Sequence, residues 1–172
     1  MSGAQPNITL RSPGDCSKEE LSRFHDMVLE GGEVRKEGLD DRIGRAKVLA
    51  FLESGGAIIG VGALKIQHRN YTARLFKKAN AKSVANDFGL ELGWVVIGKA
   101  HRGHKHSSRI VDALLAHTEG KRTYATSVST NERMHTTLIK HNFERDGAEW
   151  PSQKRKNTKL FLFVHKDSGP KV

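Results

Sequence analysis

Between residues 89 and 120 an apolar stretch runs through a short basic turn into a helical repeat, and this junction constrains the fold more than any other feature. Gly89–Ile97 reads as a strand, Leu-Glu-Leu-Gly-Trp-Val-Val-Ile after its leading glycine. Residues 98–106 form a polar loop carrying His101, His104 and His106. Ser107 or Ser108 then opens a helix with Ile110, Val111, Leu114 and Leu115 on one stripe, ended by Gly120. At such a junction successive backbone N–H groups point outward, and the helix dipole adds about half a positive charge at its N-terminus. The segment is therefore a cradle for a diphosphate, to which Arg102, Lys105 and Arg109 add side-chain charge.

The flanking segments supply the rest of a layered domain. Asn7–Arg11 alternates as a strand, and Ser17-Lys18-Glu19-Glu20 is a capping box that opens an amphipathic helix over residues 17–30. Residues 33–45 carry weak helical signals. Lys47–Glu53 and Ala57–Ile66 flank the turn Ser54-Gly55-Gly56 as a hairpin, in which Gly60 and Gly62 let another backbone approach closely. Residues 67–86 are basic and irregular, a surface excursion with a helical segment around Leu75–Ala79. Thr123–Val128 is a strand, Asn131 caps a helix running to about His141, and Phe143–Trp150 with Leu160–Val164 forms a terminal hairpin. Residues 166–172 read as a frayed tail. This order predicts one α/β domain over residues 1–172, with helices flanking a mixed central sheet of about seven strands.

Charge narrows the partners. The chain of 172 residues carries a formal net charge of +10, and residues 101–172 hold 14 basic against 7 acidic side chains. Such a field favours an anionic partner: nucleic acid, anionic lipid or a phosphate-bearing cofactor. No basic stripe interleaved with aromatic residues is present, so nucleic acid is permitted by charge but unsupported by motif. No run of 18 apolar residues exists, which argues against a transmembrane helix and a membrane partner. The first residues lack the pattern of a secretory leader, and the lone Cys16 forbids an internal disulfide, so a cytoplasmic setting is expected. The three loop histidines sit on one tight turn with no second ligand cluster, and no metal site is expected.

The stretch Trp94-Val95-Val96-Ile97-Gly98-Lys99-Ala100-His101-Arg102-Gly103-His104-Lys105-His106-Ser107 resembles the GNAT superfamily of acyl-CoA-dependent N-acetyltransferases, and the order of strands and helices extends that resemblance over nearly the whole chain. The family opens its central helix with Gln/Arg-x-x-Gly-x-Gly/Ala. Here the six positions are Arg102, Gly103, His104, Lys105, His106 and Ser107, so Lys105 and Ser107 stand where small residues usually stand. Lys105 is expected in a nearly helical turn, since a lysine with positive φ would be strained. The resemblance implies a sheet splayed between strands 4 and 5, acetyl-CoA as co-substrate, pantetheine along Val95, Val96 and Ile97, pyrophosphate on Arg102–Ser107, and a contact from Asn131 to the pantetheine arm. It also implies an amine acceptor, small molecule or protein, and a possible homodimer.

Acetyl transfer to an amine needs a base. Glu91 lies eleven residues before Arg102, close to the separation at which the histone acetyltransferase branch places its catalytic glutamate. A carboxylate on a mid-sheet strand is costly to bury unless it faces a cleft. The family often has a tyrosine seven residues after the helix-opening asparagine, to protonate the departing thiolate; this chain has Leu138 there. That leaves two other expectations open: a non-catalytic acyl-CoA-binding module, and a protein of this type acting on nucleic acid or aminoacyl-tRNA.

Overall fold

The computed structural model describes residues 3–166, so the predicted frayed tail from residue 167 onward lies outside the described residues. Lys166 itself is held, its amide donating to the Asn142 carbonyl at 2.9 Å. The strands are β1 (Asn7–Arg11), β2 (Val48–Ser54), β3 (Ala57–Lys65), β4 (Phe88–Ile97), β5 (Arg122–Val128), β6 (Phe143–Arg145), β7 (Trp150–Pro151) and β8 (Lys159–His165). The helices are α1 (Lys18–Glu30), α2 (Leu39–Gly44), α3 (Arg69–Lys78), α4 (His106–Leu115) and α5 (Glu132–Lys140). The strand order is β1-β2-β3-β4-β5-β8-β6, with β7 also on β8. The sheet is mixed: β1–β2, β2–β3, β5–β8 and β6–β8 are antiparallel, and β4–β5 is parallel. The β4–β5 ladder ends at Glu91↔Tyr124, whereas β4 continues to Ile97.

The expected elements appear with four changes. The excursion of residues 67–86 contains a regular ten-residue helix, α3, because Thr72, Leu75, Phe76 and Ala79 form one apolar stripe among its basic residues. The strand predicted over Phe143–Trp150 divides into β6 and β7, because Gly147 sits at φ +77° and turns the chain between them. The helix expected to run to Gly120 ends at Leu115. In β4, Trp94 has φ +54°, a left-handed conformation that breaks the two-residue side-chain alternation midway.

The described residues fall into two compact units. In the first, residues 3–65 and 94–117, the Ser17–Glu20 capping box forms as predicted, each backbone amide bonding the other side chain at 3.1 Å. Helix α1 thereby presents Phe24, Met27 and Val28 to a core shared with Leu39, Ile43, Leu49, Phe51 and Trp94. Phe24 meets Phe51 edge-on at 5.7 Å and Trp94 at 6.0 Å. Gly60 and Gly62 make room for side chains and not, as expected, for another backbone. A Cβ at Gly62 would lie 2.6 Å from Ile110, and one at Gly60 2.8 Å from Ile97.

In the second unit, residues 66–93 and 118–166, Leu75, Phe76, Phe88, Tyr124, Trp150 and Leu162 form the core. The loop after α3 is pinned by Asp146, whose carboxylate accepts from the amides of Lys82 at 2.8 Å and Ser83 at 3.0 Å. Beside it, a Cβ on Gly147 would strike the Ala79 carbonyl at 2.0 Å. No helix among the described residues is long and apolar enough to cross a membrane.

Burial pushes the Asp146 carboxyl up, but the Ser83 hydroxyl and the two amides outweigh it and hold the pKa below the ordinary aspartate value. The folded state therefore gains stability from this group above the unfolded pKa near 4, and loses it as pH falls through the lower folded value. Asp146→Asn aims an amide N–H at one of the two donors. It should cost about 1–3 kcal/mol at neutral pH and progressively less as pH falls below the unfolded pKa, a trend that denaturant titrations over the acid range measure.

Candidate functional site

The predicted cradle lies wholly in the first unit. After β4, the Gly98 amide bonds the Ile59 carbonyl at 2.8 Å, and a single 3-10 turn spans Lys99–His101. The chain then reaches α4 through two left-handed residues, Gly103 at φ +87° and Lys105 at φ +60°. The nearly helical turn expected at Lys105 is thus corrected: the position demands the conformation that a glycine adopts freely, and lysine occupies it at a cost of about 1–2 kcal/mol.

Lys105 is the N-cap of α4 and makes no side-chain cap. The first intrahelical amide bond at this end is Arg109 to the Lys105 carbonyl at 3.3 Å. The amides of His106 and Ser107 precede that bond and have no i−4 carbonyl inside the helix. Arg102, Gly103, His104 and Lys105 are exposed, and His106 and Ser107 are half-buried. A helix of ten residues that opens without a cap leaves a field and a row of donors suited to an anion.

Three side chains refine this cradle. Arg102 folds back, its Nε donating to the Ile97 carbonyl at 3.1 Å, so it fixes the turn to the end of β4. Arg109 is likewise engaged, donating from Nη2 to the Pro6 carbonyl at 2.7 Å. Nδ1 of His106 is buried with no hydrogen-bond partner. Burial, then the charges of Arg109, His104 and His101, lower the pKa of His106. The His104 and His106 rings lie 5.7 Å apart. Among the described residues no group of three or more His, Cys, Asp or Glu side chains could hold a metal ion.

Glu91 belongs to the second unit, and it is 3% exposed. Gln67 donates from Nε2 to its Oε2 at 2.6 Å. Tyr124, its register partner on β5, also hydrogen-bonds it, and the Tyr124 oxygen lies 3.0 Å from Oγ1 of Thr72. Burial and the Glu91 charge push the Tyr124 pKa far up, so the phenol keeps its proton and donates it toward the carboxylate. Thr72 then donates to Tyr124, and Glu91 terminates a chain of donors as its final acceptor. Motif reading missed Gln67, Thr72 and Tyr124; the only trace in the sequence is that α3 and β5 carry polar residues at positions otherwise apolar.

Asn131 is the N-cap of α5, its Oδ1 accepting from the Met134 amide at 3.2 Å. Leu138 is 1% exposed and packs in the interior, so α5 presents no acid at that position. His135 does not substitute for one: its Nε2 bonds the Val128 carbonyl at 3.0 Å, and its ring packs on Phe161 and Phe163. Burial, then Glu20, raises the pKa of the Cys16 thiol, the opposite of what a nucleophile needs.

Comparison by sequence finds nothing: no protein-family profile and no curated protein matches the chain. Comparison by structure does. An acyl-CoA N-acyltransferase from Pseudomonas aeruginosa superposes with a TM-score of 0.67 over 94% of this chain and 100% of its own, at 11% identity. A GNAT family acetyltransferase from Elizabethkingia anophelis, solved with acetyl-CoA bound, gives 0.64 over 95% and 99%, at 10% identity. Arabidopsis thaliana Naa50, in complex with the bisubstrate analogue CoA-Ac-MVNAL, gives 0.68 over 92% and 98%, at 11% identity. With this strand order, the parallel β4–β5 pair that parts after Glu91, and a helix that opens without a side-chain cap, the chain has the fold of the GNAT acyltransferases.

Proposed function

We propose that the protein is an acetyl-CoA-dependent N-acetyltransferase acting on an amine. The observation that carries this reading is the uncapped start of α4, approached through left-handed Gly103 and Lys105, in a fold whose solved neighbours include a structure with acetyl-CoA bound. The residues fit a diphosphate on structural grounds: a helix start without a side-chain cap, a buried orphan nitrogen on His106, and an exposed Lys105 ammonium. Arg102–Ser107 would hold the pyrophosphate, the Val95, Val96 and Ile97 backbone the pantetheine, and Asn131 the arm from the amide nitrogen that its capping role leaves over. When bound, acetyl-CoA supplies an acetyl thioester.

Protein residues supply the remainder. Glu91 takes the proton from the ammonium of the acceptor, which frees the nitrogen lone pair for direct attack on the acetyl carbonyl. Gln67 and Tyr124 hold that carboxylate in one orientation. A backbone N–H of β4 stabilises the developing oxyanion. The thiolate leaves without a protein acid, because Leu138 is interior and Tyr124 is committed to Glu91; water protonates it.

Acetyl-CoA should raise the melting temperature and give a one-site calorimetric isotherm; absence of both removes the reading. Glu91→Gln should lower kcat by about 10²–10⁴ while acetyl-CoA binds as before. Unchanged turnover excludes Glu91 as the base, and binding with no acetylation of any amine in a broad panel leaves a non-catalytic binding module. Lys105→Gly should stabilise the free protein by about 1 kcal/mol through relief of the left-handed strain and weaken acetyl-CoA binding several-fold through loss of the ammonium. Paired melting curves and calorimetry separate the two effects.

A further inference from the structure

The positive charge of this chain is concentrated in one unit. Residues 66–93 and 118–166 hold 15 basic against 7 acidic side chains, whereas residues 3–65 and 94–117 hold 13 against 11. Two of the acids in the charged unit, Glu91 and Asp146, are buried. Residues 54–86 contain no aspartate or glutamate and six basic residues, four of them on α3.

Arg69, Arg74, Lys77 and Lys78 are all exposed, and none forms an ion pair among the described residues. Elsewhere in the same unit lysines do find acids, Lys159 with Glu149 and Lys166 with Glu144. The helix stability rules oppose this arrangement. Arg74 and Lys78 are like charges at i and i+4, and Arg69 stands at the positive end of the helix dipole, where no acid offsets it. The opposite face of α3 is spent on the core through Leu75, Phe76 and Ala79, so the helix has no apolar face left for a membrane. Its outward positions are Arg69, Asn70, Ala73, Arg74, Lys77 and Lys78, with no large apolar or aromatic side chain to seed a protein interface, whose centre excludes charge and lysine above all. Phosphodiesters need no such centre: they are held by Arg and Lys alone.

The same helix also reaches the site. Gln67, immediately before its N-cap His68, bonds Glu91, and Thr72 in its second turn bonds Tyr124. The basic face and the Glu91 network are thus the two sides of one helix about 10 Å across. We infer that the exposed face of α3 binds the sugar–phosphate backbone of a nucleic acid, and that the acceptor amine reaches Glu91 on that carrier. The inference rests on the acetyltransferase reading for the second clause alone.

The test is fluorescence anisotropy of the full chain with a labelled single-stranded RNA 20-mer, across a series of salt concentrations, with polyglutamate of equal charge as a second probe. Binding should weaken with salt. Arg74→Glu/Lys78→Glu should weaken it at least about tenfold at 0.1 M salt and lower the slope of log K against log salt by about 1.4, two phosphate contacts' worth. Arg74→Gln/Lys78→Gln should do the same more gently, and both variants should keep the wild-type melting temperature and its shift with acetyl-CoA. No RNA binding, salt-insensitive binding, equal binding of polyglutamate, or variants that bind RNA like wild type would each overturn the surface. Loss of the acetyl-CoA shift in the wild type would overturn the acetyltransferase reading instead, and RNA binding is read independently of it.

Discussion

The uncapped start of α4 is the constraint around which the rest is arranged. A helix normally closes its first turn with a side-chain acceptor, and α1 and α5 do so through Ser17 and Asn131. Helix α4 begins instead at a lysine held in the left-handed region, with no side-chain cap. That arrangement persists only because the surroundings hold it. Gly98 is bonded to β3, Arg102 to the end of β4, and Arg109 to the segment before β1. Strand β3, the end of β4 and the segment before β1 thus hold the turn and the start of α4, and the strain at Lys105 is small beside the packing that fixes it.

The second unit shows how a buried carboxylate is tolerated. Isolated in an apolar interior, Glu91 would be prohibitive. Gln67 and Tyr124 each spend a donor on it, and Thr72 in turn supports Tyr124. The four side chains are linked in series, so an alteration at one member is felt by the others.

Much of the fold was legible in the residues. The capping box at Ser17–Glu20, the hairpin around Gly55-Gly56, the strand before the basic turn and the Asn131 cap are local signals, each satisfied within a few residues, and all appear. What escaped depends on contacts between distant segments. Helix α3 hid because its apolar stripe is narrow and surrounded by cations. The left-handed turn at Lys105 was obscured by a side chain that rarely tolerates it; Asn142, at φ +65°, holds a similar conformation in a residue that tolerates it better. The passage from β4 through the basic turn into α4 was legible because it is contiguous. The donors around Glu91 were not, since Gln67, Thr72 and Tyr124 meet only through the fold.

The glycines of β3 carry a mechanical consequence. Gly60 and Gly62 present no side chain, so Ile110 and Leu114 of α4 settle almost onto the strand backbone. A helix seated that close has no room to rock, and its first turn inherits the stiffness of the sheet. A methyl group added beneath the helix would press on Ile110 and Leu114 and tilt that first turn from a distance.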